Sequence, residues 1–523
     1  MEFSKKSFFN GEWHNTQGEV FQSINPIVNK PLDGFHSAQP EDAEQALCGA
    51  EQAYSSYKTV SGQARAHFLE QLATEIEDLG DTLLETAHSE TGLGLPRLIG
   101  ERARTCNQLR AFANLLKEGS WVRASIDTAD TERTPPKPDL RRMLQPIGPV
   151  LVFPASNFPL AFGVLGGDTA SALAAGNPVV IKGHPAHPAT AELCMVAAER
   201  ALKVCDLPLT LISLLQGSSL ALAQHLVAHP SIQAVGFTGS LKAGRAVMDQ
   251  AAQRDIPIPV YAEMGSTNPV FITPQAMAKR GGDIANGLAA SISLGTGQFC
   301  TSPGIIVGLE STEFVQKLAQ ALDEAPLGNL LHPSLAHGLA ASIQQLQDNA
   351  NTEQVTGCES ADEAGLRPRN SLLKTTAQAF LTDQQLHEEV FGPVCLYVSC
   401  ESDAEMQQVA EAVHGNLTAT LHAEAVDALA APLAQMLAAK VGRLIYNGYP
   451  TGVEVCASQQ HGGPYPACSV ASTTSVGTDA ISRFARFVAY QDMPQALLPV
   501  ELQDGNELGV LRLVDGKDSR TAL

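Results

Sequence analysis

Three side chains stand in settings that suit chemistry. Cys300 lies in LGTGQFCTSPG (294–304), among glycines and small residues with Phe299 as its large apolar neighbour. Most cysteines are inert core residues, which is the plain alternative. This one lacks the alternating apolar frame of a core strand, and its glycines let a ligand approach the backbone closely, as a reactive thiol requires. Glu263 closes an apolar run in VYAEMGS, where burial would raise its pKa towards that of a useful general base; a strand-end carboxylate in water is the alternative. Asn157 sits in FPASNFP (153–159), where it either caps the following helix or reaches a ligand.

These residues need elements to hold them. Residues 143–167 carry no charge, nearly enough for a membrane span, but Pro154 and Pro159 would each cost a helix about 3 kcal/mol. The run therefore reads as a buried strand PVLVF, a turn PASNFP, and a helix over 160–176 that stops at Gly176. Asn157 then lies beyond a strand's carboxyl end, where open α/β sheets bind ligands. GFTGSLKAGR (236–245) is a second strand end entering a helix, with Gly239 and Gly244 in a G-x4-G spacing. Arg245 and Ala246 replace the Lys and Ser/Thr of a phosphate-binding P-loop, and GxGxxG is absent. The helix start at Ser240 can still take a pyrophosphate through backbone N–H groups and the helix dipole.

The 523 residues exceed one hydrophobic core, so two or three domains are expected. Ten cysteines without a CxxC pair or metal-ligand spacing suggest a reducing, cytoplasmic setting and no metal. The N-terminus has two lysines but no apolar segment behind them, so no export signal is expected. With 55 acidic against 34 basic residues, the formal charge of −21 disfavours nucleic-acid binding. Residues 40–118 read as helices ending at Gly119, and 128–143 as a proline-bearing linker or exposed hairpin. From about 146 to 307, short β-branched runs alternate with alanine-rich helices, the pattern of a parallel α/β sheet. A second α/β region runs from about 266 into the 460s, and the tail beyond has no obvious core of its own.

Together, NGEW, FPASNFP, VVIKGHPAHP, GFTGS, EMGSTNP, GQFCTSPG, HEEVFGPV and YNGYPTG resemble, in order and spacing, the aldehyde dehydrogenase superfamily. KGHPAHP, QFCTSPG, NGYPTGVEV and HGGPYP resemble the branch that holds α-ketoglutarate semialdehyde (2,5-dioxopentanoate) dehydrogenases and bacterial NADP-dependent fatty aldehyde dehydrogenases. The resemblance implies a Rossmann-type coenzyme domain (1–127 and 147–265), an α/β catalytic domain (266–467), and an oligomerisation element with a C-terminal tail (128–146 and 468–523), assembled as a homodimer or homotetramer. It implies Cys300 as nucleophile, Asn157 and the Cys300 N–H as oxyanion hole, and Glu263 as the base that hydrolyses a thioester. Lys182 would bond the adenosine ribose, Ser240 the pyrophosphate, and Glu389 with Phe391 the nicotinamide ribose.

The small-molecule aldehyde is expected to be 2,5-dioxopentanoate, with long-chain fatty aldehydes as the alternative and a catalytically silent scaffold as a third. Arg104, Gln108 and Phe112 share a helix face that borders the substrate entrance in the resembled family, where Arg104 can bind a carboxylate or form a surface ion pair. Phe158 and Phe162 supply apolar walls. Many NAD-preferring members carry a glutamate three residues after the lysine. Here Pro185 stands there, which predicts that NADP is preferred and NAD still works. His184 and His187 add donors if they point inward.

Overall fold

The computed structural model describes residues 3–358 and 366–523. Two seven-stranded sheets form its framework. The first runs in the order Val260–Glu263, Ala234–Thr238, Val150–Phe153, Val179–Lys182, Ile212–Leu215, Ser7–Phe9, Glu12–His14. Its first five strands are parallel, and the two N-terminal strands add antiparallel at the edge. Chain order runs outward in both directions from Val150–Phe153, so the sheet switches direction between that strand and Ala234–Thr238. Ligand crevices open at such switch points. PASNFP and GFTGS are the loops that leave these two strands.

The second sheet is ordered Glu353–Thr356, Ser371–Thr376, Val394–Cys400, Ile305–Leu309, Val270–Ile272, Asn416–His422, Val441–Tyr446, and is parallel except for its first strand. A five-stranded sheet joins Ser125–Asp127 and Leu140–Pro146 to Ala485–Gln491, Arg512–Val514 and Lys517–Ser519. Among the described residues no helix is long and apolar enough to cross a membrane.

Helices occupy Pro40–Tyr57, Gly62–Asp78, Gly80–Thr91 and Leu95–Glu118, and the last stops at Gly119 with φ of 83°. The proline-bearing stretch is a hairpin closed by the Asp130–Lys137 bridge, with the strand Leu140–Pro146 beginning inside it. Gly176 ends its helix in the left-handed region, φ 103°.

One expectation about an element needs correction. The helix ending at Gly176 begins only at Gly167; residues 160–166 form turns. Glycines 163, 166 and 167 weaken a helix there, and the buried Glu101 carboxylate takes the backbone N–H groups of Leu160 and Ala161 at 2.8 and 3.0 Å. The C-terminal tail, without a core of its own, packs on the rest of this chain. Ala480, Ile481, Phe484, Leu498 and Leu502 bury themselves in the main cluster of this same chain, and Arg483 pairs with Asp168 at 2.8 Å inside it.

Candidate active site

A cavity of about 380 Å³ lies beyond the carboxyl ends of the first sheet, at the switch point. Its walls include Asn157, Lys182, Gly239, Ser240, Glu263, Cys300, Glu389 and Phe391. These residues come from separate sequence motifs, and the fold gathers them in one place.

Cys300 follows three consecutive left-handed residues, Gly295, Thr296 and Gly297, with φ of 57°, 61° and 66°. Its carbonyl accepts a bond from the Asn268 amide at 2.9 Å, and the same amide donates to Ser266 and Ser302. Asn268 itself is left-handed, φ 46°, which asparagine tolerates better than most residues. The STNP turn after Glu263 thus clamps the cysteine loop. Burial and the neighbouring Glu263 push the Cys300 thiol well above its usual range, against a smaller opposing pull from Arg104.

Glu263 is buried (4 % exposed), which overturns the solvated alternative. Its environment also corrects the expected direction of its pKa. Burial pushes the carboxyl up, but the His461 imidazole and hydrogen bonds from His461, Ser475 and Cys300 outweigh it and hold the group below the ordinary carboxylate range. His461 Nε2 lies 3.1 Å from Glu263 Oε1 and 3.4 Å from Cys300 Sγ, and the Ser475 hydroxyl donates to Glu263 Oε2 at 2.5 Å. Sequence reasoning missed both residues. They sit on a returning loop that seals the strand end, where the Met264 and Ser469 N–H groups bond to Ala467 and Ala262. The glycine-rich HGGPYP was the available signal; Ser475 carried none.

Asn157 is buried, and its amide donates to the Gln298 carbonyl at 3.1 Å, beside the cysteine loop. The backbone N–H of Cys300 has no protein acceptor among the described residues. Arg97, also missed, donates to the Asn157 carbonyl at 2.6 Å and lies over the Phe158 and Phe299 rings. One helix turn on, Glu101 fixes the 160–161 backbone, and Arg104 then lies over Phe158 and Phe162 at 5.7 and 5.5 Å with a buried, unpartnered Nε. The Arg97–Glu101 spacing ahead of Arg104 was the signal for this stripe. Phe112 lies in the main core instead of at an entrance. Phe158 and Phe162 form a small apolar cluster with Val476, Phe299, Val453 and Val455.

On the other side, Lys182 ends its strand, and burial draws its ammonium down to about 8. Ser240 caps the helix Leu241–Ala252, accepting from Ala243 N–H. A Cβ at Gly239 would meet the Phe237 ring at 2.8 Å, so this turn needs glycine. Gly244 instead packs behind the cavity-lining Met264 and does not itself line the cavity. Glu389 lines the cavity, and desolvation raises its carboxyl to about 7. His184 also lines it, while His187 turns away to bond the Ala155 carbonyl at 3.0 Å. His332 faces the same cavity from the second sheet's side, without any local sequence signal.

The sequence model of the aldehyde dehydrogenase family matches residues 13–465. The chain belongs to the aldehyde dehydrogenase family. Among curated relatives it is 46 % identical to alpha-ketoglutaric semialdehyde dehydrogenase 2 of Azospirillum brasilense, over 95 % of this chain and 96 % of that one. It is 42 % identical to alpha-ketoglutaric semialdehyde dehydrogenase of Acinetobacter baylyi, over 98 % and 99 %. Solved structures share the aldehyde dehydrogenase fold. Betaine aldehyde dehydrogenase from Staphylococcus aureus in complex with NAD+ superposes with a TM-score of 0.80 at 19 % identity, covering 95 % of this chain and 96 % of that one. Salicylaldehyde dehydrogenase from Pseudomonas putida G7 gives 0.80 at 21 %, covering 94 % and 98 %. The protein is thus an oxidoreductase with the fold and enzyme class its motifs imply.

Proposed function

We propose that this aldehyde dehydrogenase oxidises 2,5-dioxopentanoate to 2-oxoglutarate, using NADP in preference to NAD. The carrying observation is the juxtaposition of Cys300 and Glu263 at the cavity wall, with His461 buried behind them and the guanidinium of Arg104 set among the neighbouring phenylalanines. The names of the two relatives above 40 % identity support the substrate.

The residues fit a nicotinamide coenzyme. The cavity joins a helix N-terminus at Ser240, a glycine turn that a Cβ would fill, and an unpaired lysine to the wall that holds the thiol. When bound, the coenzyme accepts the hydride. Lys182, Gly239, Ser240, Glu389 and Phe391 would hold it, within a coenzyme domain built on the first sheet. Pro185 leaves no carboxylate to repel a 2′-phosphate. Lys182 presents an ammonium without a protein partner among the described residues, and His184 and His332 face the cavity as neutral imidazoles, held below the usual range by burial, with His184 Nδ1 taken by Ala186 N–H so that its Nε2–H is free to donate.

The chain's own chemistry follows from the geometry. The Cys300 thiol is protonated at rest and donates towards Glu263, so attack on the aldehyde carbon transfers the thiol proton to this ionised carboxylate. The carbonyl oxygen of the thiohemiacetal meets the Asn157 amide and the Cys300 N–H. Such donors typically lower the barrier by about 3 kcal/mol each. Loss of hydride leaves a thioester on Cys300. Glu263 releases the thiol's proton to solvent and then removes a proton from water as hydroxide adds to the thioester; that second proton passes to the departing Cys300 sulfur, so the free acid leaves and the thiol is regenerated. Ser475 and His461 orient the carboxylate. The substrate's distal carboxylate pairs with Arg104.

A homodimer or homotetramer is the assembly we infer. Its support is the exposed edge strands Val441–Tyr446 and Ala485–Gln491, which leave Tyr446 and Phe487 56 % and 43 % exposed.

A steady-state panel of 2,5-dioxopentanoate, succinate semialdehyde and decanal with both coenzymes tests the assignment. The expected order places 2,5-dioxopentanoate first, and Arg104→Leu lowers its kcat/KM by about 100-fold while sparing decanal. The apolar cluster around Phe158 favours the fatty-aldehyde reading. Decanal as the best substrate, or equal losses in Arg104→Leu, would install it.

A further inference from the structure

We propose that the apo active site is also a zinc site: Cys300 Sγ, His461 Nε2 and Glu263 Oε1 form a three-ligand cage that captures Zn2+ and shuts the enzyme off reversibly. The three ligand atoms all lie within 4.8 Å of one another. Tetrahedral zinc at ordinary bond lengths separates a thiolate sulfur from an imidazole nitrogen by about 3.6 Å and that nitrogen from a carboxylate oxygen by about 3.4 Å. The observed separations are 3.4 and 3.1 Å, so small side-chain shifts admit the ion.

The cage is built and supported from three separate segments. Glu263 ends a strand, and the Ser475 hydroxyl occupies its Oε2, leaving Oε1 directed at the other ligands. His461 has its backbone N–H fixed by Thr474 Oγ1 at 2.9 Å. Cys300 has its carbonyl held by Asn268. Such outer contacts orient ligands and strengthen metal sites. One thiolate and one carboxylate cancel the charge of the ion, and sulfur with imidazole suits zinc over magnesium or calcium. Glu263 and Cys300 both line the cavity, so the fourth coordination position can take water from that side.

Binding conserves atoms and electrons. The thiol proton leaves to solvent, the imidazole proton moves from Nε2 to Nδ1, and three Zn–ligand bonds form without any change of oxidation state. The sulfur lone pair that would attack an aldehyde is then bound to metal. Inhibition therefore rests on the reading of Cys300 as nucleophile; metal capture does not.

The test is calorimetric titration of the coenzyme-free protein with ZnCl2, alongside Cys300→Ala and His461→Gln, each first checked for an unchanged melting temperature. The expected result is one ion per chain at about micromolar affinity or tighter, weakened about 100-fold in either variant. Co2+ in place of zinc should show a thiolate-to-cobalt charge-transfer band in the wild type that Cys300→Ala abolishes, which reports ligation if a variant folds poorly. Equal zinc affinity in wild type and Cys300→Ala, or a cobalt complex without that band, would overturn the site. Zinc binding without inhibition would leave the site standing and refute Cys300 as nucleophile.

Discussion

At the scale of single residues, the site depends on a proton passed from a thiol reluctant to release it to a carboxylate that its environment keeps ionised. Glu263 is buried yet lies below the ordinary carboxylate range, because His461, Ser475 and Cys300 donate to it. Deacylation should therefore fail only as pH falls through that depressed value, at more acid pH than a free carboxylate would require. In His461→Asn the largest opposing influence is gone and burial prevails, so the acid limb of the kcat profile moves to higher pH. A merely structural role would lower kcat at every pH and leave the limb in place, and that result would remove His461 from this account. At this scale the sequence was only partly legible. Cys300, Glu263 and Asn157 announced themselves by glycine, proline and strand-end settings, whereas the partner that sets the Glu263 proton affinity is 198 residues away in the chain.

Among elements, positioning falls to loops at the ends of strands. Asn268 accepts from the Ser266 and Thr418 hydroxyls and donates to three carbonyls, including that of Cys300, from a fully buried left-handed position. Asn268→Ala orphans those carbonyls and should cost about 2–3 kcal/mol of stability. It should also lower kcat at least about tenfold, since a small displacement of the sulfur is felt in the rate. Coenzyme affinity should hold, because Asn268 lies off the cavity wall. Thermal melts, kcat and a coenzyme titration check this, and an unchanged kcat would show that the cysteine loop holds itself. Helix stops elsewhere were readable from local rules, as at Gly119 and Gly176. The start at Gly167 was not, because a tertiary partner, Glu101, decided it by taking two backbone N–H groups.

On the scale of the whole molecule, residues from both large sheets and their connecting segments line one cavity, and the proposed coenzyme preference rests on the groups they bring there. Pro185 and His184 come from the first sheet's loop, and His332 from the segment that enters the helix Pro333–Asp348. Pro185 was visible in sequence as a departure from a motif, and His184 as a possible donor beside it. His332 was invisible, since only the folded chain sets it opposite Lys182. Removing a repulsion and leaving Lys182 with neutral imidazole donors beside it should give NADP about a tenfold advantage in kcat/KM, or about 1.4 kcal/mol. Pro185→Glu should move the ratio towards NAD, and a wild type that favours NAD would show that Pro185 is not the selector. The C-terminal tail belongs to this scale too: its own composition gave no core, because the core it joins lies under the helices of residues 40–118.

The central claim is that Cys300 carries the acyl group and Glu263 releases it. Pre-steady-state absorbance of reduced coenzyme tests it most directly, in Glu263→Gln mixed with NADP and 2,5-dioxopentanoate. The account predicts one equivalent of reduced coenzyme per active site in a burst, then turnover slower by about 10³-fold, with an acyl group recovered on the Cys300 peptide. Unimpaired steady turnover without a burst, or an acyl group on another residue, would contradict it.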